Sequence, residues 1–225
     1  MERIHPDWKT SVVLPLVAAV TLCFPLEGTA AFILDNLGTD FDDPPSLGFS
    51  AIPPTTGYAV GFQIDAGSDL ALSTVTITAR AVNNTSPFVL QIFTDAGGIP
   101  GSADPGFSIS SAPIGTGALA DYAFLGSGTF LAGSTYWLVA STTDSGDYEW
   151  GNRGTYTPNG ATFSGTYVFF DSAWVDVGFP LSMQLDASPV PEPAQSGMVA
   201  ALFLVACSMT HIIRRRAASI ASTSR

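Results

Sequence analysis

Residues 32–189 contain no histidine, no cysteine and no lysine; His5, His211, Cys23, Cys207 and Lys9 all lie outside that stretch. Each absence removes a class of chemistry. Without His or Cys, a Ser-His-Asp or Cys-His nucleophile cannot be assembled, and neither can the usual tetrahedral zinc site. Without Cys there is no disulfide, so the segment must be held by its own core, for which its length suffices. Arg80 and Arg153 are its only basic side chains, against 14 Asp and Glu149, a net charge of −13. Nucleic-acid binding requires a basic footprint and is excluded. Adsorption to anionic lipid headgroups is opposed for the same reason. Charge as a whole is scarce, at 12% of the chain against 46% hydrophobic residues, which is too apolar for a disordered acidic chain.

Glycine (22), proline (16) and phenylalanine (15) are plentiful, a composition of short strands and many turns. Tyr58, Val60, Phe62 and Ile64 alternate with small or polar residues, the period-2 pattern of a half-buried strand. Residues 70–82 repeat it, with Val75, Ile77 and Ala79 on one face and Thr74, Thr76, Thr78 and Arg80 on the other. Residues 88–94 (FVLQIFT) are apolar on both faces, as in a strand buried within a sandwich. Further strands are expected near 107–111, 119–125, 135–142, 147–151, 162–170, 173–177 and 180–186, while 32–56 reads as an irregular lead-in with one short strand. Such spacing without internal helix predicts an all-β fold over 31–189, an antiparallel β-sandwich of jelly-roll type. A membrane β-barrel is the less favoured alternative, since no aromatic girdle pattern is present. The sequons Asn83-Asn84-Thr85 and Asn84-Thr85-Ser86 read more simply as a polar turn between strands than as a glycosylation site.

Both termini read as targeting segments. Residues 1–30 have the form of a secretory signal: Arg3 and Lys9, an apolar core over 11–26, then small residues with cleavage after Ala30 or Ala31. A retained N-terminal anchor is opposed by Pro15 and Pro25, and lipoprotein processing at Cys23 by Leu22 before it. At the other end, Val190-Pro191-Glu192-Pro193 precedes an apolar helix over 198–213, followed by Arg214, Arg215 and Arg216. That helix would be about 24 Å long; residues 194–197 extend it towards the roughly 30 Å hydrocarbon core. The arginines act as a topology stop that stays cytoplasmic, with 217–225 as a short cytoplasmic tail. The expected arrangement is a single C-terminal transmembrane helix with the body outside the cytoplasm, as the N-terminal signal also implies.

The motif at Val190–Pro193, the helix and the arginine stop together resemble the PEP-CTERM sorting signal of bacterial surface proteins. The resemblance covers the last 36 residues or so. It implies recognition by an exosortase-type sorting enzyme, which cuts near the motif, giving an inner membrane-anchored precursor and a mature form at the cell surface or secreted. The prolines flanking Glu192 keep the motif extended, as a processing enzyme requires. The tail after the arginines is longer than is typical of the family. The body, through Asp35-Asn36-Leu37-Gly38, residues 94–101 (TDAGGIPG) and 131–138 (LAGSTYWL), resembles the choice-of-anchor extracellular β domains, most like the R type, a resemblance that implies no catalytic activity.

Three sets of residues are candidate sites. Tyr136, Trp137, Tyr148, Trp150, Tyr156, Tyr167 and Trp174 are concentrated in the second half, and such rings, Tyr148, Trp150 and Trp174 first among them, could be presented to an extracellular polysaccharide, although sandwich cores also consume aromatics. Asp40, Asp42 and Asp43 are the densest acidic cluster and could hold calcium, although loop acids also serve turns. Glu149 is the body's only glutamate and could pair with Asp147 or Asp171 in a glycosidase; an edge-strand polar position is the simpler reading. The function expected is therefore a non-enzymatic, exported surface or extracellular-matrix protein, with polysaccharide binding or a glycan-acting enzyme as alternatives.

Overall fold

The structure, a computed structural model, describes residues 30–190 apart from 39, 51–56, 66, 84–87 and 143–145, together with 201 and 204–209; over 41–45 and 47–50 it describes the backbone alone. The chain divides into two compact units, Gly28–Val190 and a second formed by Met1–Glu27 with Pro191–Arg225. In the second unit, residues 201 and 204–209 are helical. Among the described residues no helix is long and apolar enough to cross a membrane. Most of the expected helix at 198–213, together with Pro191, Glu192, Pro193, Arg214, Arg215, Arg216 and the signal segment, lies outside the described residues.

Alternating apolar and polar residues form antiparallel strands throughout Gly28–Val190. One sheet runs β12 (Thr157–Pro158), β1 (Ala31–Asp35), β15 (Gln184–Pro189), β4 (Leu70–Asn83), β11 (Asp147–Arg153), β2 (Phe41–Ser50). Against the other edge of β4 lie β8 (Ala120–Ser127) and β9 (Thr129–Phe130), with β7 (Ser108–Ile109) beyond β8. The second sheet runs β14 (Ala173–Asp176), β13 (Ala161–Phe170), β3 (Tyr58–Ile64), β10 (Thr135–Thr142), β5 (Phe88–Asp95), β6 (Pro100–Ala103). The inward faces of the two sheets share one core. Val60, Phe62, Ile92 and Leu138 from the second sheet meet Val75, Ile77, Phe124, Phe130 and Trp150 from the first. Edge-on ring pairs cross between the layers, Phe62 with Phe130 at 5.4 Å and Phe88 with Tyr148 at 5.1 Å. Each such buried side chain contributes about 1.5–3 kcal/mol, which replaces the missing disulfides.

Two expectations are corrected. The lead-in is not irregular: β2 is a ten-residue strand despite Pro44 and Pro45. It tolerates them because it is the edge of its sheet, and because they fall where the register shifts between its Ser46–Gly151 and Phe41–Arg153 pairs. The strand at 88–95 is not buried on both sides. Phe88, Leu90 and Ile92 enter the core, Gln91 is exposed, and Val89 and Phe93 are partly exposed on the outer face.

The long β4 is shared along one edge by β15 over Leu70–Thr76 and by β11 over Ala79–Asn83. The gap between the two partners would strand backbone groups in the core. Ser182 and Asn36 fill it. Ser182 Oγ accepts from Thr78 N–H at 2.9 Å and donates to Thr78 O at 3.2 Å. Asn36 accepts from Met183 N–H at 2.8 Å and donates to the carbonyls of Gly154 and Leu181. Trp150 Nε1–H closes the set on Ser182 O at 2.6 Å.

Both ends of the body emerge at one pole. Ala31 pairs with Ala187, and Val190 N–H donates to Asp69 O at 2.8 Å, beside the link between β3 and β4. At the opposite pole lie the ends of β4 and β10, the starts of β5 and β11, and the turn of the β13–β14 hairpin.

Candidate functional site

Outward positions of a sandwich strand are ordinarily polar. On the second sheet they are not. Ala59 on β3 and Trp137 and Val139 on β10 form a buried apolar cluster separate from the main core, with partly exposed Phe93 of β5, Tyr167 of β13 and Trp174 of β14 packed against it. Register brings them together: Gly61 opposes Trp137, which opposes Phe93, while Tyr167 opposes Ala59. Gly61 leaves the space over which the Trp137 indole lies. The indole N–H donates to Asp95 Oδ1 at 2.8 Å, and Tyr167 meets the ring edge-on at 5.2 Å and 85°. Trp174 and Phe169 pair across the hairpin at 5.1 Å. The hairpin also exposes Phe170 and Val175 on its other side, at 65% and 47%. The result is a rigid aromatic face whose floor is locked by packing and one charge-assisted hydrogen bond.

Of the three rings expected to meet a ligand, two are corrected. Tyr148 and Trp150 are 2% and 0% exposed, because even-numbered positions of β11 point into the core, and Trp150 has its N–H committed to Ser182. Trp174 alone stands on an accessible face. Trp137 and Tyr167 belong to the wider set of second-half aromatics, and Phe93 joins them only through strand register. For Trp137 the local signal is TYWLVAST, where Trp137 and Val139 occupy the face opposite to Tyr136, Leu138 and Ala140.

The acidic candidates separate. Glu149 is held by Arg80, whose Nε donates to Oε2 at 2.9 Å and Nη2 to Oε1 at 3.0 Å, and Ser46 Oγ donates to Oε2 at 2.7 Å. The Arg80 hydrogen bonds lower its pKa from the ordinary value, against a weaker opposing effect of burial. A carboxylate so held is the reverse of a general acid, whose pKa must be raised. Asp147 accepts from Asn83 Nδ2 at 2.5 Å, and Asp171 occupies the hairpin turn at the far end of β13 with φ 48°. Arg153, the body's other cation, lies 3.6 Å from Asp121. Asp40 is exposed, and the side chains of Asp42 and Asp43 lie outside the described residues. Among the described residues no group of three or more His, Cys, Asp or Glu could hold a metal ion.

A concavity of about 340 Å³ lies beside β1 and β13 and is lined by Leu34, Tyr156, Pro158, Phe163 and Pro180 among others. Tyr156 stacks on Phe163 at 4.9 Å and donates its hydroxyl to Leu181 O. Burial first, and Asp35 second, push that phenol well above its ordinary pKa. It acts as a neutral donor that closes the end of the sandwich.

The class defined by these observations is an antiparallel all-β domain with an aromatic outer face. No family model, curated protein or solved structure matches the chain.

Proposed function

We propose that the chain is an exported, non-enzymatic surface or extracellular-matrix protein, delivered through its C-terminal sorting signal. The reading rests on one juxtaposition. The last strand, β15, ends at Pro189, and Val190 N–H is fixed to Asp69 O, so the folded body stops immediately before Pro191-Glu192-Pro193. A Pro-flanked motif between a folded body and an apolar stretch with an arginine stop is what an exosortase-type enzyme would act on. Under this reading 198–213 is a transmembrane helix in the precursor, 1–30 is a removed signal peptide, and the mature body, a sandwich of jelly-roll type, is displayed or released outside the cell. Emergence of both body ends at one pole supports display, because the flanking segments then leave the body from the same side.

The test replaces Pro191-Glu192-Pro193 by three alanines and follows intact mass in membrane and medium. A larger, membrane-retained form is expected. Release of the variant at wild-type mass would overturn the sorting reading. A second reading, binding of extracellular polysaccharide, is favoured by the aromatic cluster outside the core.

A further inference from the structure

We propose that the outer face of the second sheet, centred on Tyr167 and Trp174 over the Trp137 floor, binds a neutral polysaccharide. The proposal rests on the second reading above and is independent of how the chain is sorted.

The face carries its own argument for an occupant. The same strands already supply Phe62, Ile92, Tyr136 and Leu138 to the core, so closing the sandwich does not require Phe93, Tyr167 and Trp174 to stand partly exposed on the outside of a sheet. The arrangement is nonetheless built in detail: a glycine under the indole, a carboxylate on its N–H, an edge-on tyrosine against its side. Fixed rings lose little conformational entropy on binding. Their faces suit the C–H faces of a pyranose, and polar groups stand beside them. Gln91 is exposed on the outer face of β5, opposite Val139, and Asp176 lies opposite Tyr167 on β14.

Charge selects among occupants. The two cations of residues 32–189 are on the other sheet, Arg80 paired with Glu149 and Arg153 close to Asp121. The aromatic face is bordered instead by Asp95 and Asp176. A uronate-bearing or sulfated polymer would meet uncompensated like charge, and so would a second copy, whose residues 32–189 carry the same net −13. A neutral, hydroxyl-rich chain meets neither obstacle, and its hydroxyls can donate to the bordering carboxylates.

The full-length chain in a zwitterionic, sugar-free detergent is run by affinity electrophoresis through gels holding soluble β-glucan, galactomannan, xylan or α-glucan, with alginate as the polyanion. Retardation by at least one neutral polymer and none by alginate is expected. Trp174→Ala should weaken it at least about tenfold. Tyr167→Leu, which keeps an apolar side chain against Trp137 while removing the ring, should do the same, and decides the matter if Trp174→Ala fails to fold. No retardation by any neutral polymer with the protein folded, retardation of both ring variants equal to that of wild type, or alginate binding of similar strength would each overturn the proposal. So would a concentration-dependent dimer abolished by Trp174→Ala, which would make the face a self-contact. Because mobility is read without reference to processing, failure here leaves the sorting reading standing, and the converse holds.

Discussion

Gly61 and Trp137 share one space: a Cβ built on Gly61 would stand 2.5 Å from ring atom Cζ3 of Trp137 and 2.7 Å from Cη2. The glycine is required by the neighbouring strand's side chain rather than by its own backbone. Gly61→Ala should therefore cost about 1–3 kcal/mol, the range for overpacking, and displace the indole from Asp95. Thermal unfolding with tryptophan fluorescence reads both effects. The double variant with Trp137→Phe should lose less than the two single losses combined, since the smaller ring relieves the clash. A Gly61→Ala protein that melts like wild type would mean the indole does not lie across Gly61.

The handover along β4 depends on Asn36. Its side chain serves Met183 N–H and the carbonyls of Gly154 and Leu181 at 2.8, 3.1 and 3.3 Å, and the residue is 1% exposed. Asn36→Ala leaves buried polar groups without these bonds, at about 1–3 kcal/mol for each group left unsatisfied. Asn36→Asp should not rescue, because a carboxylate keeps the acceptor, loses both donors and buries charge. Urea denaturation of the two variants separates this role from a simple turn preference, which Asp would satisfy.

How far the sequence alone reaches is visible in these two residues. Strands such as β3, β4 and β10 follow from period-2 alternation, whereas nothing local to Asn36 shows it as a buried clasp 147 residues away from Met183. Pairing partners were not legible, because register is set by contacts between distant strands. Alternation also leaves open which apolar face of a strand is the core. That ambiguity leaves Trp137 undecided between core and outer face, and it makes Tyr148 and Trp150 look available when β11 turns both inward. Pro44 and Pro45 disfavour a strand at 41–50 on local grounds; an edge position and a register shift, neither visible locally, allow one.

The Arg80–Glu149 pair sets a pH dependence. Its folded carboxyl lies below the ordinary 4.5, so folding favours the ionised form. The contribution is complete above the ordinary carboxylate range and is lost as pH falls through the depressed value. Arg80 is partly exposed, so the effect is modest and screened by salt. Glu149→Gln should melt below wild type at neutral pH, with the difference closing as pH falls through the depressed value, below the ordinary carboxylate range. Melting curves across pH at low and high salt check it; a difference that persists unchanged in acid would assign the loss to packing against Ser46 instead.

Asp171 and Ser172 form the two-residue loop of the β13–β14 hairpin with φ of 48° and 66°. Two positive φ values define a type I′ turn, whose second position favours glycine. Holding serine there costs about 1–2 kcal/mol of left-handed strain, offset in part by the about 0.5–1 kcal/mol entropy penalty that glycine would bring. Ser172→Gly should thus raise stability by roughly 0.5–1 kcal/mol, whereas Ser172→Val, β-branched at positive φ, should lower it. The turn also fixes the register that sets Phe169 opposite Trp174. Ser172→Val should therefore weaken neutral-glycan retardation as well as stability, while Ser172→Gly leaves retardation intact. Melting and affinity electrophoresis on the same preparations test both halves, and a Ser172→Gly protein less stable than wild type would show that the serine makes a contact worth more than the strain it bears.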